Sequence, residues 1–231
     1  MTAAAYAAGA ISQSDAVGIA YYRGVYSADV NRRLASITGA MLAVGLSQEH
    51  VAPYLAKVSE NSVVVACINA PSNVTLSGDS SSVNELFSIL KGDGVFVRKL
   101  RIQTAYHSHH MRVVAEDYLA AIGSLKPHQN KESSGVTMFS SVTAAPISVQ
   151  ELDASYWIQN MVSTVRFSEA LKALVTQSAG GKTRRNTPVN YAAGTSNFLC
   201  RFLFPQLGSF EDIALSEPES FEGDAGIELT H

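Results

Sequence analysis

With 231 residues, 46% of them apolar, the chain can bury one sizeable domain, and its net charge of −3 without a basic stripe counts against a nucleic-acid surface. Two cysteines, 67 and 200, are too few for a disulfide framework, and no apolar run approaches the roughly 20 residues that cross a bilayer. With no charged-then-apolar leader at the start, a reducing, cytoplasmic location is expected, with no membrane partner.

The first residues are alanine-rich and helix-compatible. Ser12 with Asp15 three positions on forms a capping box that opens a second helix, on which Val17, Ala20, Tyr21 and Gly24 are spaced as one buried stripe. The same helix carries Arg23 among apolar neighbours. A guanidinium there can reach out to solvent, or its planar fork can hold a carboxylate by two parallel hydrogen bonds, which lysine could not do.

From Gly39 the pattern is clearer. Ala40–Val44 reads as a strand, Ser47 caps a helix with Val51, Tyr54, Leu55 and Val58 on one face, and Val63–Ile68 is a fully apolar strand. Asn69-Ala70-Pro71-Ser72 is turn chemistry, followed by a strand at Val74–Ser77. Ser82 with Glu85 makes a further capping box before Val83, Leu86, Phe87 and Leu90, and Gly92-Asp93-Gly94 turns the chain into a strand at Val95–Leu100. Strand, helix, strand, strand, helix, strand is the order of a ferredoxin-like unit.

After that last strand come Thr104-Ala105-Tyr106-His107-Ser108-His109-His110-Met111, with three of the six histidines in four positions. Imidazole titrates nearest neutrality, so a histidine fixed where a strand ends is a natural general base. A metal read onto His107 and His109 lacks further ligands, because neither cysteine has a partner at metal spacing, and no metal is expected. Beyond Met111 a helix with Val114, Tyr118, Leu119 and Ile122 on one face must stop at Pro127. Val136–Val142 reads as a strand, and Trp157 as core packing in an apolar-faced segment. Gly181-Lys182-Thr183 is too incomplete to be a phosphate loop, Gln177–Thr183 reads as a flexible connector, and Ser216–His231 is acidic and expected to be disordered.

The Tyr-His-Ser-His tetrad followed by His-Met resembles the specificity and catalytic segment of malonyl-type acyltransferase domains of fungal iterative, highly reducing polyketide synthases. Three further stretches resemble the same family, in order: Met1–Tyr26 with TAAAYAAGAIS and IAYYRG, VVACINAPSNVTLSGD at Val64–Asp79, and YWIQNMVSTVRFSEA at Tyr156–Ala170. The resemblance runs to about Leu174 and fails beyond it.

The resemblance implies an α/β fold: an α/β-hydrolase-like large subdomain over 1–38 and 102–175, an inserted ferredoxin-like subdomain over 39–101, and a divergent tail over 176–231. It implies transfer of malonyl from malonyl-CoA to an acyl carrier protein, with the phosphopantetheine carried by that partner and no cofactor in the chain itself. In that family the last histidine of the tetrad is the general base, which places the role on His109. The resemblance marks Arg23, in Tyr-Tyr-Arg-Gly, as the clamp for the malonyl carboxylate, and gives acyl selectivity to Tyr106, His107 and Ser108.

The family's nucleophile is a serine in a Gly-His-Ser-x-Gly elbow, and no Gly-x-Ser-x-Gly occurs in the 231 residues. The chain is expected to be truncated before that elbow and to need another segment or partner for transfer. A non-catalytic remnant, or a carrier-binding module of a split synthase, is the alternative.

Overall fold

A computed structural model describes residues 1–35, 37–125, 127 and 136–180, with the side chains of 178–180 excepted. The expectations for the connector beyond 180 and for the acidic tail lie outside these residues.

The clearest architecture is a four-stranded antiparallel sheet built from β1 (Gly39–Val44), β2 (Val63–Ala70), β3 (Asn73–Asp79) and β4 (Val97–Lys99), in the order β2-β3-β1-β4. Two helices cross it, α3 (Gln48–Leu55) between β1 and β2 and α4 (Ser80–Gly92) between β3 and β4. Counting helices in chain order, α1 is Thr2–Ala7 and α2 is Gln13–Leu34. Each crossover skips one strand, which is the split βαβ of the ferredoxin-like fold. Leu42, Val44, Val74 and Leu76 from the sheet meet Val51, Val83, Leu86 and Leu90 from the two helices, all 0% exposed. Ser47 caps α3 by accepting from the His50 amide, as its position predicts.

α4 starts three residues earlier than the Ser82–Glu85 pair predicts, with Asp79 as its N-cap residue. The Asp79 carboxylate makes no cap hydrogen bond, because it is taken by histidines from another segment. Gly39 pairs with Asp79 across β1 and β3, and a Cβ on Gly39 would lie 2.4 Å from the Ala105 nitrogen. Only glycine lets the segment before the histidines lie against the start of β1. The corner made by Gly39, Asp79 and Ala105 is what seats the site.

A second core gathers α2, α5 (Ala115–Ile122) and α6 (Ala154–Val162), with Ile19, Val30, Met111, Tyr118, Trp157 and Met161 fully buried. Trp157 is core, as its setting predicts. The Ser12–Asp15 capping box opens α2, with both reciprocal bonds present. The buried stripe of α2 is nevertheless the other one. Ile19, Ser27 and Val30 face inward, whereas Val17 and Tyr21 are each 63% exposed. α2 is apolar on two faces, so its periodicity fits both, and packing against the segment His109–Val114 and against α5 selects one.

Val136–Val142 does not make a long strand. Only Phe139–Ser140 (β5) pairs, with Ala145–Pro146 (β6), because the Ser140 hydroxyl accepts from the amides of Val142 and Thr143 and turns the chain at once. After α6, helix α7 (Phe167–Gly180) carries on into 176–180, the first residues of the expected divergent tail. Its uninterrupted Ala-Leu-Lys-Ala-Leu-Val content favours helix over connector. Among the described residues no helix is long and apolar enough to cross a membrane.

Candidate functional site

The eight residues from Thr104 to Met111 form a tight turn rather than a continuation of β4. Ser108 is its pivot. Its hydroxyl donates to the Ala105 carbonyl at 2.6 Å and accepts from the His110 amide at 3.2 Å, capping the 3-10 helix His109–Val114. A serine so engaged by backbone on both sides holds the turn, and its hydroxyl has little left for a ligand. His107, just before it, has φ +58, a left-handed conformation uncommon for any side chain though tolerated by histidine better than by most. Such a residue persists only where its surroundings over-determine it, and this points to function.

The surroundings of His107 are specific. The imidazole is 6% exposed, and its Nδ1 lies 3.0 Å from the backbone carbonyl of Ser163, the residue that ends α6. A carbonyl only accepts, so Nδ1 carries the proton and donates, leaving the Nε2 lone pair available. Burial pushes the His107 pKa from its ordinary 6.5 to about 3, the Arg23 charge pushes the same way, and the Ser163 bond opposes them. The ring is therefore neutral at pH 7, with Nε2 a proton acceptor.

Arg23 reaches this place from the inner side of α2. One guanidinium nitrogen donates to Asn160 Oδ1 at 2.7 Å, and among the described residues no carboxylate pairs with it. Burial lowers its pKa, against the effect of the Tyr118 and Tyr106 hydroxyls. A guanidinium buried without a counter-ion is expensive unless an anion arrives to share the cost. Burial also pushes the neighbouring Tyr118 hydroxyl up to about 12, and it donates to the Ile19 carbonyl. The site thus holds one fixed positive charge, one neutral imidazole and the neutral phenol of Tyr118.

His109 points elsewhere. Its Nε2 lies 3.1 Å from Asp79 Oδ1, the oxygen that His110 Nε2 reaches at 2.6 Å, and the two rings meet edge to face. The structure therefore brings Arg23, Tyr106 and His107 together and sets His109 with His110 at the end of β3.

Asp79, His109 and His110 offer three donor atoms within 4.8 Å of one another, a spacing that a metal ion could bridge. A cation held by both Nε2 atoms would force a proton onto each Nδ1, and neither Nδ1 has a partner among the described residues. The group fits a hydrogen-bonded latch better than a metal site.

Three participants were not singled out from sequence: Asp79, Asn160 and the carbonyl of Ser163. Asn160 left a signal, a polar amide one turn from Trp157 and beside Met161 on the buried face of an amphipathic helix. A backbone carbonyl leaves none.

Residues 2–181 match the acyl transferase domain family. The chain is 52% identical over 186 residues to the highly reducing polyketide synthase alnA of Emericella nidulans and 45% identical over 188 residues to the highly reducing polyketide synthase Preu1 of Preussia isomera. These alignments cover 79% and 80% of the chain, which spans only 7% and 8% of the two synthases. Among solved structures, a loading acyltransferase from the avermectin modular polyketide synthase aligns with a TM-score of 0.67 and 28% identity, over 76% of this chain and 54% of that one. FabD from Acinetobacter baumannii shares the fold, with a TM-score of 0.66 at 22% identity over 76% and 55%. The likeness extends through α7, past the point near Leu174 where the sequence resemblance was expected to end.

Proposed function

Because this chain belongs to the acyl transferase domain family, we propose that it binds the malonyl group of malonyl-CoA and serves its transfer to the phosphopantetheine thiol of an acyl carrier protein in polyketide synthesis. The observation that carries the reading is a partly buried arginine without a carboxylate of its own among the described residues, next to a buried, neutral histidine. Arg23 takes the malonyl carboxylate through its planar fork. His107, rather than His109, accepts protons at Nε2: first from a serine hydroxyl as the acyl ester forms, then from the carrier thiol as the ester is discharged. Each time the imidazolium returns the proton to the leaving thiolate or to the serine oxygen. Tyr106 and the turn that Ser108 holds shape the room beside the acyl α-carbon. The serine is not in a Gly-x-Ser-x-Gly setting within these residues, so transfer is assigned to a polypeptide that supplies one.

The division into subdomains, 1–38 with 102–175 against 39–101, belongs to the same proposal, with the site at their border, as does a cytoplasmic location. A remnant or carrier-binding module is the weaker reading. A docking surface gives no reason to bury an unpaired guanidinium beside a neutral imidazole.

The test is a chimera in which residues 1–181 replace the matching stretch of the Emericella nidulans synthase, followed by mass spectrometry of acyl loading from malonyl-CoA and acetyl-CoA. His107→Ala should slow loading of both by roughly 10² to 10⁴, and His109→Ala far less. Arg23→Ala should slow malonyl and spare acetyl. A larger loss at His109 than at His107 would return the base to His109, and equal loss of both acyl groups in Arg23→Ala would remove the clamp.

A further inference from the structure

α6 carries a polar residue where its periodicity asks for an apolar one. Tyr156, Trp157, Asn160 and Met161 form its buried face, and Asn160 is 6% exposed there. An amide at such a place is costly if unpaired, and a leucine would pack without that risk. Its Oδ1 accepts from Arg23, which lies 137 positions away in the chain. Among the described residues this is the one hydrogen bond the guanidinium makes.

The chemistry of the acceptor matters. An amide oxygen fixes the plane of a guanidinium without cancelling its charge, so the remaining N–H groups stay fully charged and aimed. A carboxylate in the same place would hold Arg23 as firmly and neutralise it, and an apolar side chain would leave it free to swing. Three residues further on, the Ser163 carbonyl orients His107. The single stretch from Asn160 to Ser163 therefore aims both groups.

We infer that Asn160 is a positioning residue, which orients the Arg23 guanidinium towards an acyl carboxylate while leaving its charge unspent, and so sets the preference for carboxylated over plain acyl thioesters. The inference rests on the clamp role of Arg23 proposed above.

The full 231-residue chain is titrated calorimetrically with malonyl-CoA and with acetyl-CoA, as wild type, Asn160→Asp, Asn160→Ala, Arg23→Ala and the double variant Arg23→Ala/Asn160→Asp. Wild type should favour malonyl-CoA. Asn160→Asp, nearly isosteric, should lose about tenfold or more of that preference while acetyl-CoA affinity stays within about twofold, because only the carboxylated ligand needs the free charge. Asn160→Ala should lose a smaller part. In Arg23→Ala the preference is already gone, and Asn160→Asp adds nothing to it.

A merely structural asparagine would weaken both ligands equally, and that result overturns the inference, as does loss of folding in both Asn160 variants. Should Arg23→Ala abolish the preference while Asn160→Asp keeps it, the inference fails and the clamp stands. Should Arg23→Ala keep the preference, the clamp itself fails. A wild type with no preference, or with no binding of either thioester, overturns both.

Discussion

The backbone carbonyl of Ser163 receives the Nδ1 proton of His107 at 3.0 Å across 56 residues of sequence. That bond fixes the tautomer and ring plane of a histidine whose own backbone sits at φ +58, so the last turn of α6 and the turn after β4 are mutually dependent. Arg23 adds its charge to the same ring.

The Arg23 charge lowers the His107 pKa, so Arg23→Gln should raise it from about 3 towards the ordinary value without reaching it, since burial remains the larger cause. Nitrogen chemical shifts of the imidazole followed against pH measure this directly. An unmoved titration would mean that the two groups do not communicate. Pairing of Arg23 with a substrate carboxylate should act in the same direction as the substitution, strengthening the base when the ligand is in place.

The same depression has a stability sign. The folded-state pKa of about 3 lies below the ordinary 6.5, so between these values the unfolded chain takes up a proton that the folded chain refuses. The contribution is complete above pH 6.5 and is lost as pH falls towards 3, at about 1.4 kcal/mol per pH unit while the difference lasts. Urea unfolding of wild type and His107→Gln at pH 7, 6 and 5 should show a shallower acid limb in the variant. Parallel limbs would place the titration elsewhere.

Asp79 ties the end of β3 to His109 and His110, and the His110 side chain is 0% exposed. Asp79→Asn weakens a charge-assisted bond in a buried setting and should cost about 1.5–3 kcal/mol in urea unfolding. The discrimination between malonyl-CoA and acetyl-CoA should survive, because neither histidine reaches Arg23. A selective loss of malonyl-CoA binding would move the latch into the binding site.

Gly39→Ala would set a Cβ 2.4 Å from the Ala105 nitrogen and 2.9 Å from its Cβ. Backbone cannot yield cheaply there, so a loss of about 1–3 kcal/mol is expected, with weaker malonyl-CoA binding as the turn is pushed aside. Gly18→Ala in α2 meets nothing within 4 Å and should stabilise the chain by up to about 1 kcal/mol through helix propensity. Equal melting temperatures for the two variants would contradict the close approach.

The ferredoxin-like order was legible because apolar period changed from two to three or four at each boundary and real turn residues separated the runs. The face of α2 was not, since Val17-Ala20-Tyr21-Gly24 and Ile19-Ser27-Val30 are both continuous stripes and only neighbours distant in sequence select between them. Among three histidines in four positions, the one facing Arg23 was hidden for a different reason. A left-handed residue that is not glycine inverts the local direction of side chains, and no composition rule marks it. Asn160 could have been found by asking why an apolar face contains an amide.

β2 is an edge strand, yet its outer side is not bare. The Val165 amide donates to the Ala66 carbonyl and the Ile68 amide to the Val165 carbonyl, each at 2.8 Å, while the Thr164 hydroxyl takes the Val65 carbonyl. Thr164 and Val165, just beyond α6, thus occupy part of the template that Val63–Ile68, a run of six apolar residues, would otherwise offer to another strand. If residues 164–166 peel away before the sheet unfolds, that run becomes the place where two molecules first join, and self-association should follow the opening of this short strap rather than global melting.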